Sequence, residues 1–207
     1  MADVFGKRNQ ECTDELVREF KKKTDCHKPL FVTDGRDEYA EALLREYGIC
    51  LPVEKTGKRG RPRKPRLIAP PGLNYVQVVK HRRKGRVIKI EKRLVFGTWE
   101  AVNQVIKESP VSNAVNVAFV ENTNLISRHY NRRLTRKTIS FSKKKQCHVM
   151  QYALFKAYYH LVKPHKGLRV KEESGRRRWR QRTPLMSAGI TDHIWSMSEL
   201  FHYRNPR

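Results

Sequence analysis

One stretch of the sequence, residues 116–134, restricts the fold most, because its apolar side chains recur at the spacing of an α-helix. At about 100° per residue, four apolar side chains gather on one side of such a helix. These are Phe119, Ile126, Tyr130 and Leu134. The opposite side brings together Glu121, Leu125, Arg128 and Arg132. The stretch therefore predicts an amphipathic helix on which one carboxylate and two arginines share the polar face.

Glu121 is unusual because it is the only acidic residue between Glu108 and Glu172. A surface glutamate beside an arginine often forms a solvated ion pair of small energy. A lone carboxylate among many cations is also typical of a metal ligand or of a residue that acts on phosphates. The surroundings of Glu121 favour this second interpretation, and the first stays open.

The charge of the chain indicates what kind of partner it binds. The 45 Lys and Arg residues outnumber the 20 Asp and Glu residues, for a net charge of +25. Residues 1–54 carry a net charge of −3, whereas residues 55–207 carry +28. Such an uneven distribution predicts a polyanion partner along most of the chain, and nucleic acid is the commonest one. A membrane partner is not expected, because the sequence has no long apolar run.

The four cysteines are too far apart to form a zinc site of the Cys-x-x-Cys kind. They are Cys12, Cys26, Cys50 and Cys147. We expect reduced thiols in a reducing compartment. Because the sequence shows no signal peptide or membrane span, the predicted location is the cytoplasm, in association with the nucleoid.

The first fifty residues alternate short apolar runs with amphipathic segments, which is the pattern of an α/β layer with parallel strand pairing. In chain order the predicted elements are a strand over 2–5, a helix from Thr13 or Asp14 to about Lys23, a strand over 29–33 and a helix over 37–47. Gly48 is a typical residue for the end of the second helix.

Asp34 follows the strand predicted over residues 29–33 and precedes Gly35. Ligand-binding and catalytic groups of α/β sheets lie at the carboxyl ends of strands, so Asp34 is a candidate site residue. The Asp-Gly pair is also a common turn, and on this dipeptide alone the turn is the preferred interpretation.

Residues 55–66 carry seven cations and no acid. Two prolines and two glycines exclude regular structure there, so the stretch predicts an extended arm. Its centre, Arg59-Gly60-Arg61-Pro62, resembles the core of an AT-hook, which lies in a narrow A·T minor groove. The candidate DNA-binding residues of the arm are Arg59, Arg61, Arg63 and Lys64. A solvated basic linker is the alternative.

Beyond this arm the pattern predicts a β-hairpin followed mainly by helices. The elements are strands over 73–80 and 86–96, and helices over 99–107, 146–162 and 191–203. The helix over 146–162 is expected to bury Met150 and Leu154, among other residues. Residues 170–182 are so basic that we expect a mobile segment.

Several stretches occur together in a specific order. Residues 31–35 read Phe-Val-Thr-Asp-Gly, and residues 119–124 read Phe-Val-Glu-Asn-Thr-Asn. Basic blocks follow at 132–138 and 159–169, and a tail at 182–192. In these stretches the chain resembles the catalytic part of an insertion-sequence transposase of the DDE class, a family with a retroviral-integrase-like ribonuclease H fold. The family's helix motif is Phe-Val-Glu-Arg-x-Asn, so Asn122 is a departure.

The resemblance implies a metal-dependent reaction on DNA. Three carboxylates would hold two Mg²⁺ or Mn²⁺ ions, which activate a water or a DNA 3′-hydroxyl for attack on a phosphodiester. Asp34 would be the second of these acids and Glu121 the third. Arg128 and Arg132 would steady the DNA phosphate, or alternatively balance the charge of Glu121. The downstream basic block adds the candidate DNA-binding residues Arg133, Arg136 and Lys137.

The first aspartate of the family has no counterpart here. The resemblance aligns residues 2–8 with the third strand of the fold, so Asp3 is a poor substitute. We therefore predict a ribonuclease H-like mixed sheet flanked by helices that lacks its first two strands. The strand over 29–33 would be left with an unpaired apolar edge. The predicted domains are a truncated catalytic domain over 1–169, with the insertion at 55–66, and a basic linker with a helix over 170–207.

The sequence thus predicts a truncated or remnant transposase that binds double-stranded DNA at transposon ends and at target sites and is inactive alone. The alternative is a non-catalytic DNA-binding protein that occupies transposon ends and regulates transposition. In a third possibility, an upstream reading frame supplies the first acid, by frameshifting or as a separate chain. The expected protein partner is this upstream-frame product or a second copy of the chain in a homo-oligomer.

Overall fold

The computed structural model describes residues 3–52, 65–109, 112–172 and 178–204. These residues form a mixed α/β structure that contains a mixed sheet. The chain divides into two compact units, Met1–Glu121 and Asn122–Arg207. This division falls inside a helix, Ala118–Tyr130, whereas the boundary predicted at 169/170 falls inside a strand, His165–Lys171.

The first unit contains most of the strands. In chain order its elements are α1 (Gln10–Lys23), β1 (Phe31–Asp34), α2 (Glu38–Tyr47), β2 (Ile49–Leu51), β3 (Arg66–Ile68), β4 (Tyr75–Arg83), β5 (Arg86–Phe96), α3 (Trp99–Glu108) and the first turn of α4 (Ala118–Tyr130). The predictions for β1, α2, the β4–β5 hairpin and α3 are confirmed to within three residues at each end.

The main sheet of this unit has the strand order β1-β4-β5. Strand β1 pairs with β4 in parallel, from Phe31 opposite Tyr75 to Asp34 opposite Val78. Strand β5 pairs with β4 in antiparallel fashion. The turn between them has positive φ angles at Lys84 (48°) and Gly85 (79°), as two-residue hairpin turns require. The predicted parallel pairing is present, but its partner is β4 and not a strand over residues 2–5.

Alternation along β4 places its side chains in two separate cores. Tyr75 packs with residues of the two helices α1 and α2, among them Val17 and Leu43. Val76 and Val78 pack with Val102 of α3 and with two further valines at 115 and 117. Since both faces of the sheet are covered, β4 is the most deeply buried strand and fixes the positions of its neighbours.

Leu43 is the side chain whose truncation tests the first core. It is 1% exposed. We expect Leu43→Ala to lower the free energy of unfolding by about 2–5 kcal/mol, because it removes buried methyl groups and leaves a cavity. Chemical denaturation measures the change. Ile88→Ala is the control: Ile88 is 64% exposed, so its truncation costs at most about 1 kcal/mol. Equal losses in the two variants would contradict the assignment of this core.

The outer edge of β1 is open in the described part of the chain, because β1 is the end strand of its sheet. This arrangement agrees with the unpaired edge that the sequence predicts for residues 29–33.

Strands β2 and β3 pair as a separate two-stranded ladder. In the sequence, the basic arm begins after β2 and ends in β3. Most of that arm, including all four of its candidate DNA-binding residues, lies outside the described residues. The ribonuclease H-like topology stays a prediction.

Two predictions near the N-terminus are wrong. Residues 3–5, which belong to the strand predicted over residues 2–5, form no strand. A four-residue segment without a partner strand makes too few main-chain hydrogen bonds to be a strand. Helix α1 begins at Gln10, earlier than predicted, because Asn9 and not Thr13 or Asp14 is the N-cap. The Asn9 side chain accepts a hydrogen bond from the Cys12 main-chain nitrogen at 3.2 Å.

The second unit is mainly helical. After the rest of α4 it contains a 3₁₀ turn (Arg132–Leu134), α5 (Lys145–Ala157), a π turn (Tyr158–Val162), β6 (His165–Lys171), β7 (Trp179–Arg182), α6 (Pro184–Ser187) and α7 (Met197–His202). Phe155, Asn131 and Thr183 are its most buried side chains. The Trp195 main-chain nitrogen donates to the Leu161 carbonyl at 3.1 Å, which ties the segment before α7 to the π turn.

Burial along helices α4 and α5 differs from the periodicity-based prediction. On α4, Phe119 and Tyr130 are exposed although they were assigned to the apolar face. On α5, Met150 and Leu154 are also exposed, and Phe155 is buried instead. Each helix carries apolar residues over more than one face, so the sequence pattern alone did not identify the buried one.

Two segment predictions in this unit are also wrong. The described part of residues 170–182 is not an irregular mobile segment, because it contributes to the antiparallel β6–β7 hairpin. The helix predicted over 191–203 is shorter, beginning at Met197. Ser196 caps it in a capping box with Glu199, so residues 191–195 stay outside the helix.

Candidate functional site

Asp34 is the last residue of β1, and its side chain is exposed. A hydrogen-bonded chain positions this end of the strand: the hydroxyls of Thr33 and Tyr75 are 2.8 Å apart, and the Gln77 amide donates to the Tyr75 hydroxyl at 3.0 Å. The next residue, Gly35, passes so close to Val79 that a Cβ there would lie 3.0 Å from a methyl group. The turn after Asp34 therefore favours a residue without a side chain.

Glu121 lies in the first turn of α4, where the helix dipole stabilises a carboxylate. Its main-chain nitrogen donates to the Val117 carbonyl at 3.0 Å. Its side chain is 56% exposed, and a carboxylate oxygen lies 2.5 Å from the Lys80 ammonium nitrogen. Lys80 was not singled out from the sequence. Lys80 stands two residues after Val78 on β4, so the two side chains project from the same face of the strand. This alternation is the sequence feature that identifies Lys80.

The two predicted carboxylates have different surroundings on neighbouring strands. Asp34 ends β1 opposite Val78 of β4. Its charge acts on Tyr39 and Tyr75, which belong to the core formed with α1 and α2. Glu121 is bound by Lys80, two residues after Val78 on β4, and Lys80 projects from the other face of that strand than Tyr75.

Neighbouring groups carry pKa shifts with clear causes. Burial and the nearby charge of Asp34 raise the pKa of Tyr39. Burial also raises the pKa of Tyr75, although its hydrogen bonds to Thr33 and Gln77 oppose the shift. Both phenols are therefore neutral at physiological pH. Their hydroxyl groups act here as hydrogen-bonding groups and do not add a negative charge to the site.

The donor set of the described residues does not fit two divalent ions. No group of three or more His, Cys, Asp or Glu side chains in this part of the chain is arranged to hold a metal ion. A pair of hard cations needs several carboxylate oxygens, and one of the two carboxylates here already binds an ammonium group.

The candidate DNA-binding residues of the second unit form an exposed basic segment. Arg128 is half-buried on α4, while Arg132, Arg133, Arg136 and Lys137 are exposed. Arg133 donates to the Ser142 hydroxyl at 2.9 Å. Within the described residues of this unit, none of the five pairs with a carboxylate. Their charge is thus available to an anionic partner.

The sequence indicates the basic character of residues 170–182 but not the β6–β7 hairpin that arranges these cations. The described residues of the hairpin carry six cations and one acid, Glu172. The cations are Lys166, Arg169, Lys171, Arg178, Arg180 and Arg182. The pattern of alternation was hidden because charged residues occupy both faces of the two strands.

The comparisons with known proteins add no relative. No protein-family profile, curated protein or solved structure matches the chain. Among the helices of the described ranges, none combines the length and the apolar character that a membrane span needs.

Proposed function

We propose that this chain is a DNA-binding protein of the DDE-transposase type whose own carboxylates form only part of a catalytic site. One observation carries the proposal. Asp34 is the last residue of β1, and Glu121 is bound by Lys80 of β4, the strand that pairs with β1. The carboxyl end of parallel strands is where sheets of this class place reacting groups. Mg²⁺ or Mn²⁺ binding would require a further carboxylate from another strand or polypeptide.

The charge distribution supports double-stranded DNA as the partner. The exposed cations of residues 132–137 and of the β6–β7 hairpin are not neutralised by carboxylates of the described part of their unit. Clusters of this kind bind phosphate groups and release counterions. The open edge of β1 supports an additional strand from a second copy or from the product of an upstream frame as a further partner.

A second candidate function is a non-catalytic protein that occupies transposon ends and opposes transposition. The Lys80–Glu121 ion pair favours it. In this arrangement a cation of the chain itself neutralises Glu121, so the carboxylate contributes to the structure around α4 and β4 without a metal ion.

The experiment that tests DNA binding compares two sets of four cations. The first variant replaces Arg132, Arg133, Arg136 and Lys137 by glutamine. The control makes the same charge change in the acidic first segment of the chain. It replaces Arg18, Lys22, Lys23 and Lys28. Fluorescence anisotropy with a labelled duplex is expected to show affinity lower by about tenfold or more in the first variant and by about twofold at most in the control.

Polyglutamate of matched length serves as the competitor in the same assay. We expect it to displace DNA only at a large excess, because its carboxylates lack the spacing of a duplex backbone. Equal loss of affinity in both variants, or competition by polyglutamate as strong as by unlabelled duplex, would refute the DNA-binding proposal.

A further inference from the structure

The β6–β7 hairpin contains an irregularity that forms a pocket. His165 pairs with Arg182, and the next pair is Val170 with Arg180, so four residues of β6 face one residue of β7. The Leu168 carbonyl in this bulge accepts a hydrogen bond from Arg182 at 2.8 Å, which fixes its shape. Bulges of this kind redirect side chains and occur often beside binding sites.

The pocket enclosed by this bulge has a volume of about 290 Å³. Its lining residues are Pro164, His165, Lys166, Arg169, Trp179 and Gln181. Five of the six carry hydrogen-bonding or charged groups, and no acidic residue lines it. A pocket of this size, at the lower end of the usual range of about 300–1,000 Å³, accepts a small polar ligand.

His165 lines the same pocket as a neutral side chain. Burial and the charge of Lys163 lower the pKa of His165, while a hydrogen bond to the Tyr159 main chain opposes the shift. Its Nε2 atom is buried and has no hydrogen-bond partner among the described residues. Because that atom is closed off from solvent, the pocket offers a ligand the surface of the imidazole ring and not this acceptor.

Trp179 and Arg169 supply a flat surface in the same pocket. The guanidinium carbon of Arg169 lies 4.4 Å from the centroid of the Trp179 ring, and the indole stays 37% exposed. Tryptophan and arginine planes are the surfaces on which unpaired bases stack. Lys166, which is exposed beside them, provides an ammonium group for a phosphate. The flat surface and the ammonium group together match the base and the phosphate of one nucleotide.

We propose that this pocket binds a single unpaired nucleotide of a DNA strand. The base stacks on the Trp179–Arg169 pair, and the phosphate binds Lys166. The proposal rests on the proposed DNA-binding function and adds a preference for DNA that carries a single-stranded end. An acidic peptide would satisfy the cations but would leave the indole surface without a stacking partner.

The test uses the full chain and two labelled probes, a blunt duplex and the same duplex with a short single-stranded overhang. Fluorescence anisotropy at about 0.15 M salt is expected to show tighter binding to the overhang probe. Trp179→Ala is expected to weaken binding to this probe by roughly 5- to 150-fold, the range measured for loss of one stacked base. Binding to the blunt probe is expected to change by less than about twofold.

Two variants show whether the effect belongs to the pocket. Trp179→Phe keeps an aromatic surface and is expected to retain most of the overhang preference. Trp99→Ala removes an exposed tryptophan of the first unit and is expected to leave both affinities unchanged. Circular dichroism of each variant confirms that it is folded.

The outcomes separate this proposal from the one on which it rests. If wild type binds both probes equally and Trp179→Ala matches Trp99→Ala, the pocket proposal is wrong while DNA binding stands. If a polyaspartate peptide binds in a manner that depends on Trp179 and displaces the overhang probe, the pocket is a peptide site and the proposal is wrong. If neither probe binds at low salt, the proposed DNA-binding function fails.

Discussion

The purified chain, incubated with labelled duplex DNA and Mn²⁺ or Mg²⁺, is expected to leave the DNA uncut and unjoined. In-line attack on a phosphodiester by the two-metal route needs both ions held at a fixed separation. Asp34 and Glu121 offer too few oxygens for that, and among the described residues no group of three or more His, Cys, Asp or Glu side chains is arranged to hold a metal ion. Denaturing electrophoresis of the labelled strands measures the result, and product at the background level of a protein-free sample is expected.

Lys80→Ala distinguishes a site that lacks carboxylates from a complete site in which Lys80 prevents Glu121 from binding a metal ion. The substitution frees the Glu121 carboxylate, so we expect somewhat tighter binding of Mn²⁺ but still no cutting. Lys89→Ala is the matched control, because it removes one exposed cation from β5 of the same sheet. If Lys80→Ala cuts DNA and the added substitution Asp34→Ala or Glu121→Ala abolishes the cutting, the site is complete in this chain and the incomplete-site proposal is wrong.

Local patterns predict the elements of the first unit well. The hairpin over β4 and β5 follows from two apolar runs joined by a turn that accepts positive φ angles. Asp34 was placed correctly at a strand end because a short apolar run followed by Asp-Gly has few other interpretations. Lys80 was missed because its role depends on a contact with Glu121, forty-one residues away, and local periodicity contains no information on such contacts.

The second unit was harder to predict because tertiary contacts decide its burial. Ser127 and Asn131 are buried on and just after α4 although both are polar, while Tyr130 next to them is exposed. Asn131 accepts a hydrogen bond from the Arg133 main-chain nitrogen at 3.1 Å, so its burial follows from the turn that ends the helix. In the β6–β7 hairpin, main-chain pairing overrides a composition that suggests a mobile segment.

Duplex binding is expected to depend strongly on salt. The net charge of +28 over residues 55–207 allows many phosphate contacts. A protein that makes six to ten of them loses about 10³- to 10⁵-fold in affinity between about 0.05 and 0.2 M salt. Anisotropy titrations over this range give the slope of log K against log salt. Equal affinity at low and high salt would refute the electrostatic basis of binding.

The arm over residues 55–66 is expected to contribute both charge and base preference. Replacing Arg59 and Arg61 by alanine removes two contacts, so the slope is expected to flatten by about 2, at about 0.9 per phosphate. If the Arg-Gly-Arg core lies in a narrow minor groove, the same variant also loses preference for A·T-rich duplex. Arg82→Ala with Arg83→Ala is the control, because these two exposed cations end β4. The control is expected to flatten the slope without changing the A·T preference. If both double variants change the preference equally, or neither does, the arm acts as a basic linker and not as a minor-groove element.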